Sequence, residues 1–274
     1  MPVLTLTALT LYPLKSCAGL SVPHAALEPL GLEHDRRWMA VGPDGRFMTG
    51  RELPALLLIQ ARPHAGGLVL EAPGMPRLEV AAPPADASRL DVTVWDSACS
   101  AALVGPQADA WLTRYLGQPA RLVHVDARMD RPVDPEYAAP EDRVGFADGF
   151  AVLLVSQGSL DELNQRLDTP VPMARFRPNL VVDGCPPFAE DGWRRVRVGE
   201  VELEIVKPCS RCALINVEPD SARVDPRQEP LRTLARYRRE GAKGQVFFGQ
   251  NVVVRRPGVL RVGDALTVLE PAGK

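Results

Sequence analysis

The chain has 274 residues, 46% of them hydrophobic and 24% charged, with a net charge of −2, the composition of a globular protein of one large or two moderate domains. The near-neutral balance argues against a nucleic acid or an anionic membrane as partner, and no apolar run approaches the ~18 residues of a membrane span. Five cysteines without a regular framework and an N-terminus without a basic segment or a long apolar run point to a reducing, cytoplasmic setting.

Residues 3–12 place Leu4, Leu6 and Leu11 among threonines and predict a strand. It ends in a turn, residues 13–19, that carries Lys15, Ser16 and Cys17. Residues 38–41 read as a buried strand, entered through Arg36 and Arg37 and left through the hairpin turn Gly42-Pro43-Asp44-Gly45. On local pattern alone, Lys15 is a solvated turn lysine, and Arg36 and Arg37 are surface partners of Glu33 or Asp35. Residues 56–61, 68–72, 78–81 and 90–95 read as strands. Their spacing of ~8–12 residues suggests a small sheet or barrel. Residues 108–116 carry Trp111, Leu112, Tyr115 and Leu116 on one helical face, and Gly117 stops the helix. After a strand at 121–125, residues 126–143 are polar and proline-rich and read as a long surface loop serving as lid or linker.

The apolar run 151–155 is followed by Ser159, read as a helix cap in a capping box with Glu162. In Phe176-Arg177-Pro178-Asn179, two residues apart in an extended chain point the same way, so Arg177 and Asn179 offer a guanidinium and an amide to one ligand. A buried ion pair is an equal alternative. Residues 200–206 form a strand that leads to Lys207-Pro208-Cys209-Ser210-Arg211-Cys212, read as a turn before another extended segment at 214–217. A zinc knuckle needs a second ligand pair. A thioredoxin-like dithiol belongs beside a βαβ unit. A pair of buried thiols is the bland reading. Lys207 and Arg211 favour the thiolate, and with it a single reactive or metal-bound sulfur. Glu229-Pro230 opens a helix with Leu231, Leu234 and Tyr237 inward and Arg232, Arg236, Arg238 and Arg239 outward, a solvated or docking face. Residues 247–254 and 258–269 close the chain as strands. The four histidines carry no motif, and there is no dinucleotide fingerprint, P-loop or Ser-His-Asp set. Many short strands with three helices indicate a mixed α+β fold whose main sheet closes into a barrel.

Six motifs, in order, span nearly the whole chain: residues 12–17 (Tyr12-Pro13-Leu14-Lys15-Ser16-Cys17), Asp35-Arg36-Arg37-Trp38, Phe146-Ala147-Asp148-Gly149, Phe176-Arg177-Pro178-Asn179, residues 208–212 and Phe248-Gly249-Gln250-Asn251. With them the chain resembles the MOSC-domain family, in the branch with an N-terminal MOSC extension that includes the amidoxime-reducing proteins. The resemblance implies a MOSC-type β-barrel domain over residues 121–270. It also implies a small, mostly β N-terminal MOSC region over 1–120 whose first strands complete the site. It implies a molybdenum cofactor, with Cys212 at the position of the thiolate metal ligand and catalytic centre, and Arg211 holding that thiolate deprotonated. Lys15, Ser16, Arg36, Arg177 and Asn179 match positions that hold the pterin and its phosphate. Asp148, Gly149 and Phe150 match a cofactor loop, although the residues after the Asp depart from the pattern, and Gln250 and Asn251 match its wall. The implied reaction reduces a small N-hydroxylated compound from N–OH to N–H. Electrons would come from a separate flavin, ferredoxin-like or cytochrome-type protein, since the chain carries no iron–sulfur cysteine cluster. Two other classes remain at this stage: a sulfur carrier or sulfurtransferase with a Cys212 persulfide, which would act without a fused pyridoxal-phosphate domain, and a cofactor-binding or delivery protein without turnover.

Overall fold

The apolar residues of the first strand, Thr5–Leu11, point into a barrel, with Leu6, Leu9 and Leu11 at most 5% exposed. Strict alternation would bury residues 6, 8 and 10. A bulge between Leu6 and Ala8 shifts the inward set by one residue instead. In this computed structural model, which describes residues 3–241 and 244–273, the main sheet runs Leu266–Pro271, Trp193–Val198, Val201–Ser210, Gln245–Arg256, Val152–Ser156, Leu180–Asp183, Thr5–Leu11 and Leu20–Val22. Its far strands meet through backbone hydrogen bonds from Leu6 N to Asp264 O (2.9 Å), Gly263 N to Leu6 O (2.8 Å) and Leu266 N to Leu4 O (2.8 Å). The sheet thereby curls into a barrel packed with Leu27, Leu154, Leu203, Val252 and Leu260.

The pair Val152–Ser156 and Leu180–Asp183 is parallel, and the crossover between them contains the helix Gln157–Asn164. Ser156, and not Ser159, caps this helix: its hydroxyl accepts from Ser159 N at 3.1 Å. The Ser159 hydroxyl is spent on buried Glu190, 2.8 Å away.

The N-terminal half adds a four-stranded sheet in the order Trp38–Val41, Arg121–His124, Ser97–Leu103, Arg89–Val94, and a three-stranded meander over Gln60–His64, Gly67–Glu71 and Leu78–Ala81. Helix Pro106–Leu116 buries Trp111 and Leu112 against them and ends at Gly117, whose φ of 68° is the left-handed value that favours glycine. The two halves are interwoven, because His24–Glu28 pairs with Gly258–Arg261.

Two local expectations are corrected. Residues 56–58, expected to begin a strand, belong to a 3-10 turn over Pro54–Leu58, and the strand starts at Gln60. The loop over 126–143 has no regular structure, and it is tied down where Pro132 bridges Arg143 and Arg255 clamps Asp142 at 2.8 Å. The helix after Pro230 is a single turn, Leu231–Leu234: Asn216 and Glu229 accept its first backbone donors, and the chain then turns toward the strand pairing of Arg239–Glu240. Among the described residues no helix is long and apolar enough to cross a membrane.

His124 lies half-buried against Trp38, ring centroids 4.3 Å apart. Burial lowers its pKa from 6.5 to about 4. Between these values the folded chain binds fewer protons than the unfolded chain, so stability rises with pH through the window and is lost on acidification. Thermal midpoints of the wild type should therefore fall more steeply between pH 6.5 and pH 4 than those of His124→Gln. Parallel curves would contradict this.

Candidate active site

Five chain segments end at one rim of the barrel and are stitched there by main-chain bonds. Lys15 N donates to Trp38 O (2.8 Å), Arg36 N to Tyr12 O (2.8 Å) and Phe146 N to Arg36 O (2.9 Å), while Asn179 N donates to Leu153 O (2.9 Å). The fifth segment is the end of Val201–Ser210, which pairs irregularly with Gln245–Arg256 from Lys207 onward. Pro208, which has no N–H to give, falls in this broken register. Cys212 then opens a 3-10 turn, Ala213–Asn216, where a second strand was expected. Cys212 is exposed and Cys209 half-buried. Burial pushes the Cys209 thiol up, with Arg211 opposing.

The cleft between these segments gathers Lys15, Arg36, Arg51, Arg175, Arg177 and Arg211 around a single carboxylate, Asp148. Lys15 is buried. Its Nζ donates to Phe146 O at 2.8 Å and to Asp148 Oδ1 at 2.6 Å, and burial holds its pKa below the usual lysine value despite that partner. Desolvation opposes the ionisation of Asp148, but the charge and hydrogen bond of Lys15 and the Trp95 indole N–H outweigh it, holding the carboxyl well below the usual range. Arg36 is fixed from behind by buried Asp35 and by Asn179 Oδ1 at 3.1 Å. The guanidinium groups of Arg36 and Arg177 lie 4.6 Å and 4.2 Å from the ring centre of Tyr12, whose hydroxyl is pushed up to about 12 by burial.

Of the residues singled out from sequence, Lys15, Ser16, Arg36, Asp148, Gly149, Phe150, Arg177, Asn179, Arg211, Cys212 and Asn251 line this one cleft. Gln250 does not: it is buried on the other face of its strand, where its amide donates to Asp191 at 2.6 Å. Three roles also change. Arg177 is left-handed, with φ 54°, so it does not point with Asn179 along an extended chain. Asn179 spends its oxygen on Arg36 and Leu153 N and its nitrogen on Thr10 O, and so holds the cleft's frame. Arg211 gives its guanidinium to the carbonyls of Phe248 and Phe176 and pins the cysteine turn to its neighbours.

Sequence reasoning missed Arg51, Arg175 and Trp95 as cleft residues, and Arg131 as its support. Arg131 is 3% exposed and donates to Gly145 O, Ala147 O and Asp148 O at 2.7, 2.6 and 2.9 Å. An arginine in a proline-rich stretch carries no local sign of such a role.

An anionic, thiolate-ligated group fits this arrangement. Among the described residues the buried nitrogens Arg51 Nε, Arg175 Nε and Arg177 Nη2 have no hydrogen-bond partner, and all three side chains line the cleft. Unpaired buried donors call for an acceptor. Among the described residues no group of three or more His, Cys, Asp and Glu could cage an ion. The soft sulfur of Cys212 suits a metal that brings most of its own ligands.

Family models agree with this geometry. Residues 141–267 match the MOSC domain and residues 3–119 the MOSC N-terminal beta barrel domain. The chain belongs to the MOSC-domain family, in the branch that carries the N-terminal barrel. It is 37% identical to mitochondrial amidoxime-reducing component 1 of Xenopus laevis, over 93% of this chain and 79% of that protein. It is 35% identical to component 1 of Homo sapiens, over 97% and 83%, and 34% identical to component 2 of Homo sapiens, over 95% and 82%.

Replacing Arg131 by Met would leave the buried carbonyls of Gly145 and Ala147, and the part-buried one of Asp148, without their donor. Losing such charged bonds should lower stability by about 3 kcal/mol, read as a shift in the urea midpoint with an unchanged slope. An unchanged midpoint would show that the loop does not depend on Arg131.

Proposed function

We propose that this chain is a molybdenum-cofactor-dependent reductase that converts N-hydroxylated compounds to their N–H forms. The observation that carries the reading is an exposed Cys212 thiol at one end of a cleft whose other walls hold six cationic side chains, three of them with unpartnered buried nitrogens. Relatives named for amidoxime reduction cover nearly the whole chain.

Bound there, the molybdenum cofactor supplies a metal able to deliver two electrons to the N–O bond. The chain's own residues bind and orient it. Cys212 provides the thiolate. Arg51, Arg175 and Arg177, which line the cleft and each keep an unpartnered nitrogen among the described residues, would hold the anionic pterin and phosphate, since guanidinium forks match phosphate oxygens. The ammonium of Lys15 has three hydrogens and gives two hydrogen bonds to protein, which leaves one for the same ligand. Asn179, Asp35 and Arg131 hold these groups in place from behind.

The reaction consumes two electrons and two protons and releases water. The electrons come from a separate protein. An acidic donor would find Arg236 and Arg239, which make no ion pair among the described residues, on the groove beside Ser210 and Arg211. Their neighbours Arg232 and Arg238 are taken by Glu229 and Asp191. Five free cysteines support action in a reducing compartment such as the cytoplasm.

Anaerobic turnover of benzamidoxime with reduced methyl viologen tests the reading, with benzamidine quantified as product. The wild type should form benzamidine. Cys212→Ala should lose more than the roughly 10–100-fold that removal of a ligand's supporting hydrogen bond costs a metal site. Equal rates in the two proteins, or no product from cofactor-loaded wild type, would contradict it.

A further inference from the structure

We propose that Trp95 selects among substrates, presenting a flat aromatic surface to N-hydroxylated compounds whose reducible group is carried on an aryl ring. The proposal rests on the reductase reading and adds to it a substrate class and the residue that reads it.

Trp95 is the first residue of the two-residue turn between Arg89–Val94 and Ser97–Leu103, where Val94 pairs with Ser97. Its φ is 56°. That conformation suits glycine, and a bulky residue adopts it only where the surroundings over-determine it. They do so here. The indole N–H donates to Asp148 Oδ1 at 3.0 Å, the Arg51 guanidinium lies 4.2 Å from the ring centre, and Phe47 packs at 5.1 Å between centroids. Despite these three restraints Trp95 remains 40% exposed, whereas Trp38, Trp111 and Trp193 are at most 8% exposed. It lines the same cleft as Cys212. The core has thus not absorbed this ring; a strained turn holds it at the cleft in one orientation.

The ring's surroundings indicate what it would recognise. An arene stacks on an indole, and the cationic walls of the cleft add attraction to its π face. Asp148 uses only Oδ1 toward Lys15 and Trp95, and its side chain is 74% exposed. Its Oδ2 takes no hydrogen bond among the described residues and can accept from the NH2 group of an amidoxime. An aryl amidoxime therefore meets both groups, and an alkyl amidoxime only the carboxylate.

The test compares kcat/KM for benzamidoxime and acetamidoxime in cofactor-loaded wild type, Trp95→Gly, Trp95→Asn and Trp95→Phe. Gly and Asn both accept the left-handed turn, so one failure to fold does not end the experiment. The aryl-to-alkyl ratio should fall about tenfold in both, equivalent to about 1.4 kcal/mol, mainly through the KM for benzamidoxime, and Trp95→Phe should keep most of it. Benzamidine should also quench the exposed tryptophan fluorescence of the wild type, and this quenching should vanish in Trp95→Phe. An unchanged ratio, or equal losses on both substrates with lowered molybdenum and pterin content, would overturn the proposal. The latter result would make Trp95 a cofactor contact. A wild type that reduces neither compound defeats the reductase reading instead, and benzamidine quenching alone then decides for or against Trp95.

Discussion

The strand Thr5–Leu11 has hydrogen-bonded partners on both sides, and the site depends on that. On one edge it pairs with Leu180–Asp183, and on the other with Leu20–Val22 and with the chain around Asp264. A strand so placed cannot slide without exposing Leu6, Leu9 and Leu11 to water, since a one-residue slip turns every side chain over. The turn that leaves it is fixed in consequence, and with it Lys15 and Ser16. The Arg36 segment is hydrogen-bonded to that turn through Tyr12 O. Residues near the start of the chain thereby face Cys212, about two hundred positions later in sequence, as a matter of barrel closure.

The cleft that results is held by groups whose hydrogen bonds go to the protein frame. Asp35 and Asn179 fix Arg36, and Arg131 fixes the loop that carries Asp148. Buried charge on this scale is expensive unless paired or hydrogen-bonded. Lys15 and Arg36 are held by protein partners, whereas among the described residues Arg51, Arg175 and Arg177 each keep an unpartnered nitrogen, as does the supporting Arg131 at Nε. Of these four only Arg51, Arg175 and Arg177 line the cleft, and they are the ones an anion there would meet.

The strands and the barrel were largely legible in the sequence, because inward leucines and valines alternate and turns carry Gly and Pro. Register and boundaries were less so. The bulge at Leu6 and Ala8 leaves no compositional trace, and the Ser156 cap lost to Ser159 on sequence because both serines precede the same apolar stripe and only Glu190 decides between them. In the cleft, the family resemblance brought together eleven residues that do line it. Gln250 was misplaced because alternation along its strand turns it toward Asp191. Arg51, Arg175 and Trp95 escaped notice because their position follows from packing between distant segments. The left-handed backbone of Trp95, which marks it most clearly, has no signature in a tryptophan codeword beside an aspartate.

The central claim is that Cys212 and the cationic cleft hold one molybdenum cofactor. The most direct measurement is metal and pterin analysis of wild type and Cys212→Ala, both expressed in a host able to make the cofactor. The account predicts molybdenum and pterin near one per chain in the wild type and an altered metal spectrum in Cys212→Ala, with pterin still retained by the cationic walls. A wild type free of both, carrying a persulfide on Cys212, would contradict it.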